Sequence, residues 1–211
     1  MSAQQRLSVL SIGLSALVVS SLLGIQLDHA PDPGWLMFSE TQWVNHGAAI
    51  AWPLTWLCWI YVLAPLAILL LLAAVRWPAW RSRNIFAVVS LLVAWQAADF
   101  FQRVFARPRR PDWIIRHETA FSYPSSHATI VTAFYLLLAV FVARSTLPGR
   151  AWISSLLALL SVAIMWSRLA LGAHYLTDIV GGGLLGIGVV ALLAACWPTN
   201  VFEGPSHASL E

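Results

Sequence analysis

The stretch SRLALGAHYLTD, residues 167–178, places the ionisable side chains of Arg168, His174 and Asp178 inside an otherwise apolar region. His174 and Asp178 are four residues apart, so on a helix their side chains share a face. A carboxylate that accepts from one imidazole nitrogen fixes the tautomer and leaves the other nitrogen as a nucleophile or base. This spacing predicts that His174 is a catalytic nucleophile and that Asp178 orients it.

A second stretch with chemical potential is YPSSH, residues 123–127. Proline and serine are typical of the cap and first turn of a helix. A helix start presents unpaired backbone N–H groups and the positive end of the helix dipole, which together favour an anion. We therefore predict that Ser125 and Ser126 help to bind a phosphate, and that His127 is the general acid that protonates the leaving oxygen.

The third stretch, RVFARPRRP at residues 103–111, is rich in arginine. The planar guanidinium fork suits the oxygens of a phosphate. We predict that Arg103 and Arg110 bind the phosphate together with Arg168. Asp99 lies four residues before Arg103, and we predict an ion pair between them that aims the arginine.

Other polar side chains around these stretches are predicted to have ordinary roles. Three arginines are predicted to contact lipid headgroups: Arg107, Arg109 and Arg116. Three histidines are predicted to be solvated or hydrogen-bonded: His29, His46 and His117. A zinc site built from His127, His174 and Asp178 is an alternative, but no Cys or His pair has the ligand spacing typical of zinc, so no metal site is predicted.

The composition indicates that these residues are held by a membrane protein. Of 211 residues, 59% are hydrophobic and only 10% are charged, with a mean hydropathy of +0.75. A soluble domain would carry about 25% charged residues. All twelve basic side chains are arginines, and in so apolar a chain they favour a phosphate-bearing lipid or the membrane surface over nucleic acid as the partner.

We predict an all-α polytopic fold, a single membrane-embedded domain over residues 1–211. A crossing helix needs about 20 mainly apolar residues. Six segments meet this requirement: 7–27, 53–75, 85–103, 128–147, 152–171 and 179–197. The first loop on the outer side, residues 28–52, is expected to hold a short interfacial helix.

These spans explain how distant residues can meet. His127 and His174 are 47 positions apart, which matches two crossings of about 20 residues and a tight turn. Both histidines are thus predicted to lie on one membrane face. Gly182 and Gly186 form a small-xxx-small pair that predicts close helix packing.

The arginines divide evenly between the two predicted faces, six on each. The positive-inside rule therefore chooses an orientation only if one set is held in place by function. If the arginines near the two histidines bind substrate, the site faces the outer, periplasmic side of the cell membrane and both termini are cytoplasmic.

The three stretches together resemble the signature of the type 2 phosphatidic acid phosphatase superfamily, K-x6-RP, PSGH and SR-x5-H-x3-D. Here the first motif matches as Arg103, six residues, then Arg110-Pro111, and the second as residues 124–127. The third motif is complete from Ser167 to Asp178. Arg103 stands where lysine is usual and Ser126 where glycine is usual. The motif-bearing core covers about residues 85–197.

The resemblance implies a membrane lipid phosphatase that needs neither metal nor cofactor. His174 would form a phosphohistidine, and His127 would protonate the departing lipid oxygen and then activate water. The substrates implied are undecaprenyl diphosphate, which we favour because the small chain has no accessory domain and is expected to face outward, and phosphatidylglycerol phosphate or phosphatidate.

Two other functions fit some of these features. A lipid phosphotransferase could use the same phosphohistidine. A lipid transporter or scramblase could line a path with the buried charges, although the inverted repeats or broken helices typical of transporters are not evident in the sequence.

Overall fold

A computed structural model of the protein describes residues 1–27, 30–41, 47–110 and 120–202. The regular structure in these ranges is helical. The α-helices are α1 (Ala3–Leu27), α2 (Gly34–Thr41), α3 (Ala48–Trp56), α4 (Ile60–Arg76), α5 (Arg81–Phe105), α6 (Ser126–Val131), α7 (Leu137–Ala143), α8 (Arg150–Ala170) and α9 (Leu176–Cys196). A 3₁₀ turn, Pro78–Trp80, precedes α5, and a π-helical turn, Thr132–Leu136, joins α6 to α7.

Five helices in the described ranges are long and apolar enough to cross a membrane. They are α1, the 3₁₀ turn with α5, α6 through α7, α8 and α9. The pair α3 and α4 makes a sixth span if it is counted as one, bent by 41°. The all-α, six-span fold predicted from the sequence is thus confirmed, and α2 is the predicted short helix in the first loop.

The second span differs from the continuous helix predicted over residues 53–75. At residues 57–59 each backbone N–H donates to the carbonyl three residues earlier, so the α-helical pattern stops. Side chains from other helices form hydrogen bonds with a carbonyl and a hydroxyl at the break. The Tyr135 hydroxyl donates to the Leu57 carbonyl at 2.7 Å, and Arg168 Nη1 donates to Thr55 Oγ1 at 2.7 Å. An unbroken apolar sequence carries no signal for such tertiary contacts.

Close contact between α9 and α6 fixes the distance between two of the three motif stretches. A Cβ at Gly182 would lie 2.5 Å from the Ser125 carbonyl oxygen, and one at Gly186 would lie 2.7 Å from the Thr129 carbonyl oxygen. Any larger side chain would push the helices apart. The close packing predicted for this glycine pair is confirmed.

The three motif stretches meet at one end of the helix bundle. There α5 ends, α6 begins, α8 ends and α9 begins. A backbone hydrogen bond of 3.0 Å from Ser125 N to the Asp178 carbonyl joins the starts of α6 and α9. The hairpin of spans therefore returns the chain to the same end of the bundle.

Candidate active site

His174 lies in the short connection between α8 and α9 and is fully buried. Its Nδ1 is 2.9 Å from the Ser122 carbonyl oxygen and 3.4 Å from Asp178 Oδ2. Since a carbonyl can only accept, Nδ1 carries the hydrogen and Nε2 keeps its lone pair. Arg109 Nη1 lies 3.2 Å from Nε2, in position to donate to it. This tautomer leaves Nε2 as the nucleophilic atom.

The protonation state of His174 follows from its surroundings. Burial, followed by the charge of Arg109, lowers the pKa of the imidazole from 6.5 to about 4. Asp178 opposes this shift, but burial is the largest cause. The ring is therefore neutral at pH 7, as a nucleophile must be.

Asp178 occupies the first turn of α9 and is also fully buried. Oδ2 accepts from the Tyr175 backbone N–H at 2.9 Å and from the Ser122 hydroxyl. Oδ1 accepts from Arg107 Nη1 at 2.6 Å. The carboxylate is thus fixed by donors from three other residues while it faces His174.

His127 lies in the first turn of α6, and its Nε2 is buried. Among the residues that the structure describes, this nitrogen has no hydrogen-bond partner. Arg168, His174 and Arg109 all act electrostatically on the ring, so both histidines share one charged environment. A buried polar atom without a partner is rare and marks a position that a ligand can complete.

His127 borders a cavity of about 340 Å³ beside the break in the second span. The side chains around the cavity are mostly apolar or aromatic. The residues that line it are Cys58, Trp59, Ile60, Trp95, Ser126, His127 and Ile130. The cavity combines an apolar wall with one imidazole, which suits a phosphorylated group carried on a lipid chain.

Besides Ser126, four side chains are predicted to bind phosphate: Arg103, Arg110, Ser125 and Arg168. Two of these, Arg110 and Arg168, are buried cations. Arg168 lies in the last turn of α8 and donates to Thr55. Arg110 is buried with its guanidinium carbon 5.6 Å from the centre of the Tyr175 ring. Ser125 has a structural task, since its Oγ accepts from Ala128 N at 3.5 Å and caps α6.

Arg103 departs from the prediction. Its side chain is 73% exposed and forms the predicted ion pair with Asp99, at 2.5 Å, but it does not join the buried cluster. Consecutive residues on a helix point about 100° apart, because a turn takes 3.6 residues. Gln102 is the residue that turns inward, and its amide donates to the Pro124 carbonyl at 2.9 Å. The first motif sets its two cationic positions, Arg103 and Arg110, seven residues apart. Counted from Gln102 instead, the same step leads to Arg109.

Arg107 and Arg109 also correct the prediction that they contact lipid headgroups. Arg107 is 1% exposed and bonds carboxylates. Arg109 donates to the carbonyls of Ala120 and Ala173, at 2.7 and 2.8 Å, besides facing His174. Arg116, His29, His46 and His117 lie outside the described residues.

Sequence reasoning also missed Ser122, which lies directly before the stretch 123–127. Both its carbonyl and its hydroxyl serve the His174–Asp178 pair. A backbone carbonyl leaves no trace in a residue pattern. Within the described ranges, no group of three His, Cys, Asp or Glu side chains converges in a way that could hold a metal ion.

The fold has a close counterpart among solved structures. The crystal structure of a transmembrane PAP2 type phosphatidylglycerolphosphate phosphatase from Bacillus subtilis superposes with a TM-score of 0.66. The match covers 87% of this chain and 94% of that one, at 17% sequence identity. At this identity the likeness shows a shared fold.

Curated relatives share sequence as well. The Escherichia coli (strain K12) protein "Putative undecaprenyl-diphosphatase YbjG" is 35% identical over 101 residues, 47% of each chain. "Phosphatidylglycerophosphatase B" of Bacillus subtilis (strain 168) is 32% identical over 83 residues, 37% of this chain and 40% of that one. "Undecaprenyl-diphosphatase" of Sulfolobus acidocaldarius is 30% identical over 132 residues, 60% of this chain and 59% of that one. The chain spans about half the length of these relatives.

The family assignment rests on a longer match. The sequence model of the PAP2 superfamily matches residues 84–202, more than half of the 211 residues. This range runs from the start of α5 to the end of the described chain and contains all three motif stretches. The protein therefore belongs to the PAP2 superfamily.

Proposed function

We propose that this protein is an integral-membrane lipid phosphatase that hydrolyses a phosphate monoester or diphosphate on a lipid. The observation that carries the proposal is the state of His174. It is buried and neutral, with Nδ1–H directed at the Ser122 carbonyl and Nε2 facing a guanidinium. An imidazole held this way is prepared to attack an electrophilic phosphorus.

In the proposed reaction, Arg109 turns from His174 Nε2 to a phosphoryl oxygen, Nε2 attacks the phosphorus atom, and the bond to the lipid oxygen breaks. His127, which carries a proton on both ring nitrogens when the substrate is bound, gives its Nε2 proton to that oxygen, and a phosphohistidine remains. His127 then takes a proton from water as the water attacks phosphorus, and the P–N bond breaks to release phosphate and restore His174.

The arginines supply charge where the transition state needs it. Arg109 lies against Nε2, and Arg168 acts on the His127 ring from the last turn of α8. Arg110 and the Ser126 hydroxyl are further donors that we assign to the phosphoryl oxygens. Fixed donors of this kind stabilise the charge that builds on a phosphoryl group without reorganising. We propose that no metal ion takes part.

We favour undecaprenyl diphosphate as the substrate, with phosphatidylglycerol phosphate and phosphatidate as the other candidates. The names of the relatives support the first two of these lipids. The apolar cavity beside His127 provides space for a lipid segment next to the atom that protonates the leaving oxygen.

Phosphate release by purified protein tests the proposal. The full chain in detergent is assayed against undecaprenyl diphosphate, phosphatidylglycerol phosphate and phosphatidate, with His174→Ala as the control. We expect the wild type to release phosphate from at least one lipid, with and without EDTA, and the variant to release none. Full turnover by His174→Ala would refute the nucleophile, and loss of activity in EDTA that added metal restores would refute the metal-free mechanism.

We further propose that the site faces the outside of the cell membrane and that both termini are cytoplasmic. Two exposed residues at opposite ends of the bundle, Phe121 and Leu147, allow a matched test. In a Cys196→Ser background, a membrane-impermeant thiol reagent should label Phe121→Cys in intact cells and Leu147→Cys only after lysis. The reverse pattern would overturn the orientation.

A further inference from the structure

Arg107 is the most completely buried arginine in the described part of the chain, 1% exposed, just beyond the end of α5. Its guanidinium binds two carboxylates: Nη1 lies 2.6 Å from Asp178 Oδ1, and Nη2 lies 2.9 Å from Asp32 Oδ1. Nε and Nη2 also donate to the Ala30 carbonyl, at 3.0 and 2.8 Å. Nη1 also donates to the Thr177 hydroxyl at 2.8 Å, so all five N–H groups are used and none is left to meet a phosphate.

Asp32 comes from the first loop, between α1 and α2, and is buried. Besides Arg107 it accepts from Thr177, whose backbone N–H lies 3.2 Å from Oδ2 and whose hydroxyl lies 2.5 Å from Oδ1. Thr177 is the residue directly before Asp178. The loop is thus bonded to the first turn of α9, beside the catalytic carboxylate.

The ring of Tyr175 covers this cluster, with its centre 4.1 Å from the Arg107 guanidinium carbon. The Tyr175 backbone N–H also donates to Asp178. One buried cation therefore sits between two buried carboxylates and under an aromatic ring. A planar fork with several donors can bridge two carboxylates, whereas the ammonium group of a lysine acts as a single point charge.

We propose that Asp32 and Arg107 form a positioning pair that fixes the Asp178 carboxylate and, through it, the orientation of His174. This inference rests on the proposed function. Arg107 does not act on the substrate; it neutralises Asp178 and holds Oδ1, so that Oδ2 stays directed at the imidazole. The first loop thereby becomes part of the machinery that orients the nucleophile, although it lies outside all three motif stretches.

A kinetic split tests the pair, because a positioning residue should affect kcat and leave KM nearly unchanged. Arg107→Gln should lower kcat by about a hundredfold, the loss expected when a reacting group shifts by about 1 Å. Arg107→Lys keeps the charge but cannot bridge both carboxylates, so its kcat should be intermediate. Arg150→Gln, at an exposed arginine that opens α8 at the opposite end of the bundle, is the control and should retain wild-type kcat.

The second partner is tested through Asp32→Asn, alone and combined with Arg107→Gln. Alone it should lower kcat by about tenfold, as removal of a supporting hydrogen-bond partner does. In the double variant kcat should exceed that of Arg107→Gln, because only one unneutralised carboxylate remains. This rescue separates positioning from a general loss of structure. If Arg107→Gln does not fold, Arg107→Lys and Asp32→Asn decide the question.

The outcomes separate this inference from the proposed function. If His174→Ala is inactive while Arg107→Lys and Asp32→Asn have wild-type kcat, the positioning pair is refuted and the phosphatase stands. A raised KM with unchanged kcat in these variants would also refute it, since that result indicates substrate binding. If His174→Ala is as active as the wild type, the proposed function itself fails.

Discussion

The arginines at the two ends of the bundle have the same side chain but different partners. At the end opposite the site, five arginines donate to neutral backbone carbonyls, some of them at the ends of helices. Arg6 bonds Ala195 and Trp197, Arg81 bonds Ala74, Arg83 bonds Val201, Arg144 bonds Phe202, and Arg150 bonds Ser145. A cation at a helix C-terminus stabilises the carbonyls left without partners there.

At the site end, arginines bond backbone carbonyls too, but they also meet ionised or titratable groups. Arg107 bonds two carboxylates, and Arg109 faces the His174 imidazole. The number of arginines therefore carries little information about function in this protein, whereas the chemistry of the groups they bond carries much. The even division of arginines between the two faces does not separate the two ends, whereas the groups that the arginines bond do.

Among the substitutions that test this difference between the two ends, Arg168→Gln should cause the largest loss of kcat/KM. Removing a fixed cation next to the reacting group should lower kcat/KM by about a hundredfold to a thousandfold, as the loss of one oxyanion donor does. Phosphate release from the preferred lipid measures it. Arg150→Gln, at the other end, is the control; an equal loss in both variants would show that the two ends do not differ.

The next prediction concerns the close contact between α9 and α6. Gly186→Ala should lower the free energy of unfolding by about 1–3 kcal/mol, the usual cost of overpacking, because its Cβ would collide with Thr129 and Thr132. Gly183→Ala is the matched control on the same helix, since its Cβ would lie 3.8 Å from Thr132 Oγ1. Thermal unfolding compares the two, and equal stability would contradict the close contact.

The pH profile sharpens the role of Arg109. The neutral His174 attacks, so activity should fall as the pH drops through its pKa near 4. Arg109→Gln removes one cause of the lowered pKa and should move the acid limb of kcat/KM upward. Burial, the larger cause, remains, so the limb should stay below pH 6.5. An unmoved limb would contradict the contact between Arg109 and Nε2.

The same pKa shift affects stability. Below pH 6.5 the unfolded chain takes up a proton on His174, whereas the folded chain does so only near pH 4. The free energy of unfolding should therefore decrease as the pH falls through this window.

The smallest effect is expected at the far end. Arg6→Gln should lower the free energy of unfolding by about 1 kcal/mol, because two hydrogen bonds to partly buried carbonyls are lost. Its kcat/KM should match that of the wild type. Denaturation and phosphate release measured on the same sample provide the check; reduced turnover with normal stability would contradict a purely structural role.

The sequence was sufficient for features that depend on regular spacing. The glycine pair on α9 and the apolar spans each follow a helical period that the structure keeps. His174 and Asp178 also meet, but His174 precedes the N-cap of α9, so the turn before the helix and not a shared helix face brings them together. Which of the adjacent residues Arg103 and Gln102 faces the bundle depends on the rotation of α5 about its axis, and the motif spacing does not contain that rotation.

Other features had no periodic signal. Residues 106–110 form no helix or strand, so nothing in their pattern separates Arg107, which bonds carboxylates, from Arg109, which faces His174. The break at residues 57–59 is set by partners from other helices. The Ser122 carbonyl acts through the backbone, which every residue has.

Among the residues that the structure describes, none forms a hydrogen bond with the buried Nε2 of His127. Under the proposed function, an oxygen of a phosphorylated ligand would form this hydrogen bond. Such a compound should therefore raise the temperature at which the protein unfolds, since a ligand that binds only the folded state stabilises it.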